Sequence, residues 1–141
     1  MEYGKPAGRI KPIENGQMFK MKYGDRIITK RFYGEKAFEL AEKYRYTVSK
    51  RLNLLVNQIT MKNCDIIHIN LNQNKTMITD YIFLDLCKSN LLIYTKCGTK
   101  ERIRMKINKK QTEFHCYITN KKKVYHINGD IFDNRICNLK F

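Results

Sequence analysis

The residues most suited to chemistry lie in the last stretch of the chain, residues 124–141. His126 has apolar neighbours and is followed by Asn128-Gly129-Asp130, a turn signal because Asn and Gly adopt positive φ at little cost. A turn at this point exposes the imidazole at the end of a strand, and Asn138 lies far enough along the chain to hydrogen-bond it. A histidine held by an amide can act as a general base on a substrate proton within reach.

The pattern of these residues resembles the core of the HNH endonucleases, in particular the homing and phage-associated branch. The string H-I-N-G-D-x-x-D-N-R-x-x-N-L is in register with the family at His126, Gly129, Asn134, Arg135, Asn138 and Leu139. The resemblance implies a ββα finger of two strands and a helix that holds a divalent metal. It also implies that His126 activates water and that Asn138 orients this base.

The sequence departs from that family at both metal-binding positions. Tyr125 precedes the histidine where the family has Asp, Asn or His, and a neutral phenol is a poor ligand for a hard cation. The chain ends at Phe141, before the helix that carries the other ligand. We therefore expect an inactive finger without cofactor, in which His126 and Asn138 hold the turn. If the finger is active, these two residues are catalytic, Mg²⁺ is the expected cofactor, and Asp130 and Asp133 are the weak ligand candidates.

The charge of the chain indicates the class of its partner. With 28 Lys and Arg against 13 Asp and Glu, the net charge is +15, which favours nucleic acid through counterion release. An anionic membrane would require a basic amphipathic helix or a lipid signal, and neither is evident. Residues 1–34 carry +5 and residues 96–141 carry +8, whereas residues 61–95 are neutral.

The cellular location follows from the cysteines and the apolar pattern. The five cysteines are scattered and include no C-x-x-C pair, which indicates reduced thiols and neither disulfides nor a zinc site. The N-terminus has no apolar leader, and no apolar run is long enough to cross a membrane. We expect an intracellular protein that is located with DNA, in a host cytoplasm or nucleus or in a virion.

The first part of the chain predicts a small sheet packed on a helix. Residues 1–17 are rich in Gly and Pro and predict a flexible basic arm. Residues 18–32 predict a hairpin that turns at Tyr23-Gly24-Asp25. Residues 35–52 predict a helix. Its apolar face contains Ala37, Leu40, Ala41, Tyr44, Val48 and Leu52.

The junction of this hairpin and helix resembles the Apetala-two-type DNA-binding module. The similar residues are Arg31-Phe32-Tyr33-Gly34-Glu35-Lys36-Ala37-Phe38, followed by Ala41-x-x-Tyr44-Arg45. The resemblance implies a sheet that enters the major groove and a helix that braces it from behind. A full three-stranded sheet of this kind requires residues 8–14 to form a strand.

The rest of the chain predicts mainly strands. Alternation predicts strands at 65–72 and 76–79 and a hairpin of 90–96 with 101–107 around Gly98. Residues 80–87 fit either a strand or a short helix, and the resemblance to the HNH family, in which a helix often precedes the finger, favours the helix. Residues 53–62 predict a helix end or a connection. Residues 113–118 predict a strand on which His115 is structural. Lys121-Lys122-Lys123 predicts a basic turn before the finger.

Together these patterns predict an α+β fold: a small basic β-hairpin or sheet packed on one amphipathic helix, followed by a β-rich segment that ends in a truncated ββα-metal finger. The expected domains are an arm (1–17), an Apetala-two-like module (18–60) and a degenerate HNH-like domain (61–141). Clustered cations mark the expected DNA contacts. These are Lys20, Lys22, Arg26, Lys30, Arg31, Arg102, Arg104, Lys106, Lys121, Lys122, Lys123 and Arg135.

The function predicted from the sequence is that of a DNA-binding protein derived from an HNH homing endonuclease without nuclease activity. It would act in viral or phage transcription, replication or genome handling. One alternative is an active nicking endonuclease of the HNH type. Another is an interaction module of a larger nucleic-acid-processing complex, such as a polymerase, that docks through the neutral segment 61–95.

Overall fold

The computed structural model describes residues 2–61 and 63–141. The strands are β1 (Glu2–Lys5), β2 (Arg9–Ile13), β3 (Gly16–Tyr23), β4 (Arg26–Tyr33), β5 (Val56–Met61), β6 (Ile66–Asn70), β7 (Thr76–Asp80), β8 (Leu91–Cys97), β9 (Lys100–Ile107), β10 (Lys110–Glu113), β11 (Tyr125–His126), β12 (Asp133–Asn134) and β13 (Leu139–Lys140). The α-helices are α1 (Ala37–Arg51), α2 (Leu84–Ser89) and α3 (Phe114–Thr119). The predicted α+β class is confirmed, with strands predominating.

The chain divides into two compact units. The first unit is residues 5–56, and the second is residues 57–141 together with the N-terminal residues up to Gly4. In the first unit β3 is the central strand, with β2 and β4 antiparallel on either side of it. The hairpin predicted at 18–32 is confirmed, with Gly24 in its turn at φ +60.

The flexible arm predicted at 1–17 is wrong, because β1 and β2 both lie within it. Asn15 adopts φ +60 and turns the chain, so that β2 pairs with β3 from Arg9 opposite Lys20 to Ile13 opposite Gly16. The residues just before β2 are also held: Arg45 Nε donates to the carbonyl of Ala7 at 2.9 Å. The third strand that the sheet required is therefore formed by part of the segment expected to be an arm.

The predicted helix over 35–52 is confirmed as α1, which packs on one face of this sheet. Phe19 is fully buried, and its ring lies edge-on to Tyr44 with centroids 5.5 Å apart. Ala41, also fully buried, is small enough to let the sheet approach the helix closely. Leu40 was expected on the apolar face but is exposed, whereas Ser49 is buried because its Oγ accepts the Ala7 N–H at 2.9 Å.

The second unit contains a five-stranded sheet in the order β1-β5-β6-β7-β12, a three-stranded sheet in the order β10-β9-β8, and the pair β11-β13. Strand β12 is parallel to β7, and β11 is antiparallel to β13. A shared hydrophobic core is formed by residues that include Ile67, Ile69, Met77, Leu92, Tyr94, Met105 and Phe114. The predicted strands at 65–72 and 76–79, the short helix within 80–87 and the hairpin around Gly98 are confirmed.

Two further predictions are wrong. A helix end or connection was expected over 53–62, but residues 56–61 form strand β5. Glu113 ends strand β10, but residues 114–118 form most of α3 instead of a strand. Phe114 is fully buried, and Ile118, four residues on, packs against the same core. Asn120 ends this helix in the left-handed conformation with φ 55, as is common after a helix C-terminus.

The truncated ββα-metal finger predicted at the end of the chain, whose helix was already expected to be missing, is not shown by the structure. After His126 the backbone forms β12, a 3₁₀ turn at Ile136–Asn138 and β13. Residues 127–141 as described contain no α-helix. This end of the chain is held instead by β12 pairing with β7 and by β13 pairing with β11.

Candidate functional site

The first candidate site is the half-buried imidazole of His126, at the end of β11. Its Nε2 lies 2.8 Å from Oδ1 of Asn134. The amide of Asn134 is oriented by a second bond, in which its Nδ2 donates to the carbonyl of Ile131 at 3.0 Å. Because Oδ1 can only accept, His126 Nε2 carries the hydrogen, and Nδ1 is the basic nitrogen of the neutral ring.

The expected hydrogen bond from Asn138 to His126 is replaced by bonds within the turn. Asn138 is buried; its Oδ1 accepts the N–H of Asn128 at 3.1 Å, and its Nδ2 donates to Asn128 Oδ1 and to the Asp133 carbonyl, both at 2.9 Å. Asn134 therefore orients the histidine, and Asn138 closes the loop. Asn134 belongs to the same sequence string, but spacing alone does not show which amide reaches the ring.

His115 on α3 lies beside His126. The two rings are edge to face, with centroids 4.9 Å apart. Burial lowers the pKa of His115, and the neighbouring His126 lowers it further, against the opposing effect of Glu113. His115, expected only to be structural, is therefore held toward its neutral form next to the candidate base.

The two weak metal-ligand candidates are engaged elsewhere. Both oxygens of Asp133 accept from Arg135 at 2.8 Å, and this hydrogen bonding lowers the pKa of the carboxyl. Asp130 Oδ1 accepts the N–H of Phe132 at 2.9 Å within its own turn. A hard cation such as Mg²⁺ needs several free oxygen ligands, so these residues do not fit a magnesium site at His126.

Within residues 2–61 and 63–141, one group of three potential metal ligands occurs, and it lies at the start of α3. It consists of Glu113, His115 and Cys116, whose donor atoms all lie within 4.8 Å of one another. Burial raises the pKa of the Cys116 thiol, and Glu113 raises it further. His115 was expected to be a structural residue on a strand, so this group was missed in the sequence.

The second candidate site is the side of the first-unit sheet that faces away from α1, which we call the open face. The pairing of the strands shows which side chains lie on the open face, because residues directly opposite each other on neighbouring strands point to the same side of the sheet. Phe19 and Phe32 contact Tyr44 of α1, so the residues directly before and after each of them in the strand point to the open face. The cations of the open face are Arg9, Lys11, Lys20, Lys22 and Arg31, all exposed.

The predicted DNA contacts of the first unit divide between the two sides of the sheet. Lys20, Lys22 and Arg31 lie on the open face, whereas Lys30 lies on the helix side with Nζ 6.0 Å from the Tyr44 ring. Arg26 lies an even number of residues from Lys30 along β4, so it is on the helix side as well. Arg9 and Lys11 were missed, because the segment that contains them was expected to be irregular.

In the second unit, Ile103 and Met105 are buried, and the alternate residues Arg102, Arg104 and Lys106 share the other side of β9. Arg102 and Arg104 line a cavity of about 410 Å³. Arg102 Nε also lies 3.4 Å from Glu113 Oε1.

The remaining predicted DNA contacts lie near the C-terminus. Lys121, Lys122 and Lys123 are exposed, and Lys121 Nζ lies 6.0 Å from the Phe141 ring. The guanidinium of Arg135 is bound by Asp133 on two nitrogens, so it is less available to phosphate than the lysines.

No protein-family model matches the chain, and no curated protein or solved structure does either. None of the described helices combines the length and apolar character needed to cross a bilayer.

Proposed function

We propose that this chain is a DNA-binding protein that holds duplex DNA on the open face of its first unit. The observation that carries the proposal is the set of five exposed cations on one side of three strands. That side of the strands has no carboxylate, and among the residues that the structure describes none of the five cations is in an ion pair. Unpaired cations on a shared surface are the electrostatic pattern of nucleic-acid binders.

Apolar side chains among the cations favour DNA over an arbitrary polyanion. Ile27 and Tyr33 lie on the open face and are 62% and 61% exposed. A β-ribbon fits the major groove, where apolar groups contact thymine methyls and cations contact phosphate. Helix α1 covers the opposite side of the sheet, in agreement with the resemblance to the Apetala-two-type module.

The C-terminal turn supports a non-cleaving role. The HNH-like string is present, but Tyr125 occupies a ligand position, and Asp130 and Asp133 are committed to hydrogen bonds. We propose that the chain derives from an HNH homing endonuclease and binds DNA without cleaving it, in viral or phage transcription, replication or genome handling.

Binding to a labelled duplex, measured by fluorescence anisotropy over a salt series, tests the proposal. Each phosphate contact contributes a log–log salt slope of about −0.9. The triple variant Lys20→Gln, Lys22→Gln, Arg31→Gln removes three open-face cations. We expect it to weaken binding and to make the slope shallower by about 2.7.

The matched control is the triple variant Lys36→Gln, Lys43→Gln, Lys50→Gln, which also removes three positive charges. Its positions are exposed and lie just before α1 and along it. We expect its slope to change much less. Equal changes in the two variants would contradict the assignment of the open face, and a flat salt dependence of the unmodified protein would contradict DNA binding itself.

The second candidate function is a nicking endonuclease, which the orientation of His126 by Asn134 favours. The bond between them leaves Nδ1 as the basic nitrogen, which a general base requires. Mg²⁺ is the cofactor that this alternative implies, although the nearby carboxylates do not provide its ligands.

A supercoiled-plasmid assay with Mg²⁺ or Mn²⁺ distinguishes the two functions. We expect no nicking above the buffer control, because both oxygens of Asp133 and Oδ1 of Asp130 already accept hydrogen bonds. Nicking that is lost in His126→Ala but retained in His68→Ala, a histidine on β6, would overturn the non-cleaving proposal.

A further inference from the structure

We propose that Glu113, His115 and Cys116 form a binding site for a thiophilic divalent cation, with Zn²⁺ as the best match. The three residues lie where β10 ends and α3 begins. The cluster shares no residue with the open face, so the proposal does not depend on DNA binding.

The distances between donor atoms suit a tetrahedral cation. Glu113 Oε2 lies 3.7 Å from His115 Nε2 and 3.7 Å from Cys116 Sγ. Zinc bonds of about 2.0–2.3 Å at tetrahedral angles separate neighbouring ligand atoms by about 3.4 Å. Both distances from Glu113 Oε2 are close to this spacing, and the third pair, His115 Nε2 and Cys116 Sγ, lies within 4.8 Å and closes further when one ion binds all three.

The site is local in sequence, which favours its formation. The strand-to-helix turn brings positions 113, 115 and 116 together without closing a long loop. Cys116 Sγ also lies 3.7 Å from the Lys122 carbonyl oxygen, so the segment after α3 closes over the same point.

The donor set selects the class of cation. Cysteine and histidine are preferred ligands of Zn²⁺, whereas Mg²⁺ and Ca²⁺ prefer oxygen ligands alone. Arg102 contacts Oε1 of Glu113 at 3.4 Å, which holds the carboxylate and leaves Oε2 toward the other two donors. A partner that orients a ligand in this way typically strengthens metal binding.

The cluster is reachable from solvent. A surface cavity of about 640 Å³ extends to Cys116. It is lined by Thr112, Cys116, Tyr117, Asn120, Lys121 and Lys122. A small hydrated cation can therefore enter without the unit unfolding, although the two lysines reduce its electrostatic attraction.

Titration of the full chain with Co²⁺, which replaces Zn²⁺ and gives a thiolate-to-cobalt absorption in the near ultraviolet, tests the proposal. We expect the absorption to saturate at one equivalent and to disappear when Zn²⁺ is added. It should be lost in Cys116→Ser, and affinity should fall at least ~10-fold in Glu113→Gln and His115→Ala. Cys97→Ser, which removes an exposed thiol outside the cluster, should keep the full signal.

Thermal unfolding provides the second measurement, because an ion that binds only the folded chain raises Tm. Zn²⁺ should raise the Tm of the unmodified protein and of Cys97→Ser but not of Cys116→Ser. A missing cobalt signal in the unmodified protein, full affinity in Glu113→Gln, or loss of the signal in Cys97→Ser would each overturn the proposal. The open-face triple variant should bind Co²⁺ normally, so failure of the DNA proposal leaves this test intact.

Discussion

At the residue scale, the residues of the HNH-like string mainly hold one another in place. Asp133, Asn134 and Asn138 are all buried, and each has hydrogen-bond partners. Thr79 Oγ1 donates to the Asn134 carbonyl at 2.8 Å and joins the turn to β7. A buried polar group that loses its partner costs stability, so these positions are restricted whether or not His126 performs chemistry.

The pair formed by Asp133 and Arg135 predicts a pH dependence of stability. Hydrogen bonding from Arg135 lowers the pKa of Asp133 in the folded protein below its usual value of 3.8. At pH values above the usual pKa the pair therefore contributes fully to the free energy of unfolding. This contribution is lost as the pH falls through the lower pKa of the folded protein.

Asp133→Asn should lower the free energy of unfolding near neutral pH by roughly 1–3 kcal/mol, the range for a hydrogen bond to a charged group. The lower end is expected, because the Arg135 side chain is 34% exposed. Urea unfolding from pH 7 to about pH 2 should show that the difference in free energy of unfolding between Asp133→Asn and the unmodified protein narrows in acid. The control is Asp25→Asn, which lies in an exposed turn. A difference that stays constant with pH would contradict the assignment.

At the element scale, the first-unit sheet depends on close backbone approach at one glycine. A Cβ at Gly16 would collide with the carbonyl oxygen of Phe32 on the neighbouring strand. Gly16 is the first residue of β3 and pairs with both Ile13 and Tyr33. Any other residue there must push β3 and β4 apart.

Gly16→Ala should therefore destabilise this unit by roughly 2–3 kcal/mol, because backbone atoms cannot move aside as a side chain can. Amide hydrogen exchange should accelerate in β3 and β4 and remain unchanged in β8 and β9. Gly24→Ala is the comparison: its φ is +60 but nothing lies near the added Cβ, so only about 1–2 kcal/mol of backbone strain is expected. Equal acceleration in both variants would show that the carbonyl contact is unimportant.

At the scale of the whole molecule, both units are basic, but they use their charge differently. The first unit has 13 Lys and Arg against five acids, and the second has 15 against eight. Both therefore attract polyanions at long range. In the second unit Arg102 and Arg135 contact carboxylates, whereas the open-face cations have none within reach on their side of the sheet. The open face is therefore the surface on which we propose that the polyanion is held.

The neutral segment 61–95 contributes mainly to the core. Ile67, Ile69, Met77 and Leu92 are buried within the second unit, whereas Ile82 remains 77% exposed. A docking role for this segment stays a prediction, and it would depend on the few apolar side chains around Ile82.

The sequence by itself determined the α+β class, the hairpin at 18–32, the helix over 35–52 and the alternation along β9. Each follows from a local pattern of apolar residues and turn signals, and local patterns are read within a window of a few residues. The helix was predictable even though Leu40 is exposed, because Ala37, Ala41 and Tyr44 still face the sheet at helical spacing.

Only the tertiary structure decided that residues 9–13 form a strand, that residues 114–119 form a helix, and that Asn134 rather than Asn138 holds His126. It also decided that Lys30 faces α1 while Arg31 faces solvent. Phe114 is positioned by the core and Lys30 by Tyr44, partners that are distant in sequence, whereas residues 9–13 pair with the adjacent strand β3 and His126 bonds an amide eight residues further on. A local apolar pattern sets neither burial against a distant segment nor the choice between neighbouring partners, so the positions of these side chains emerge only when the chain is folded.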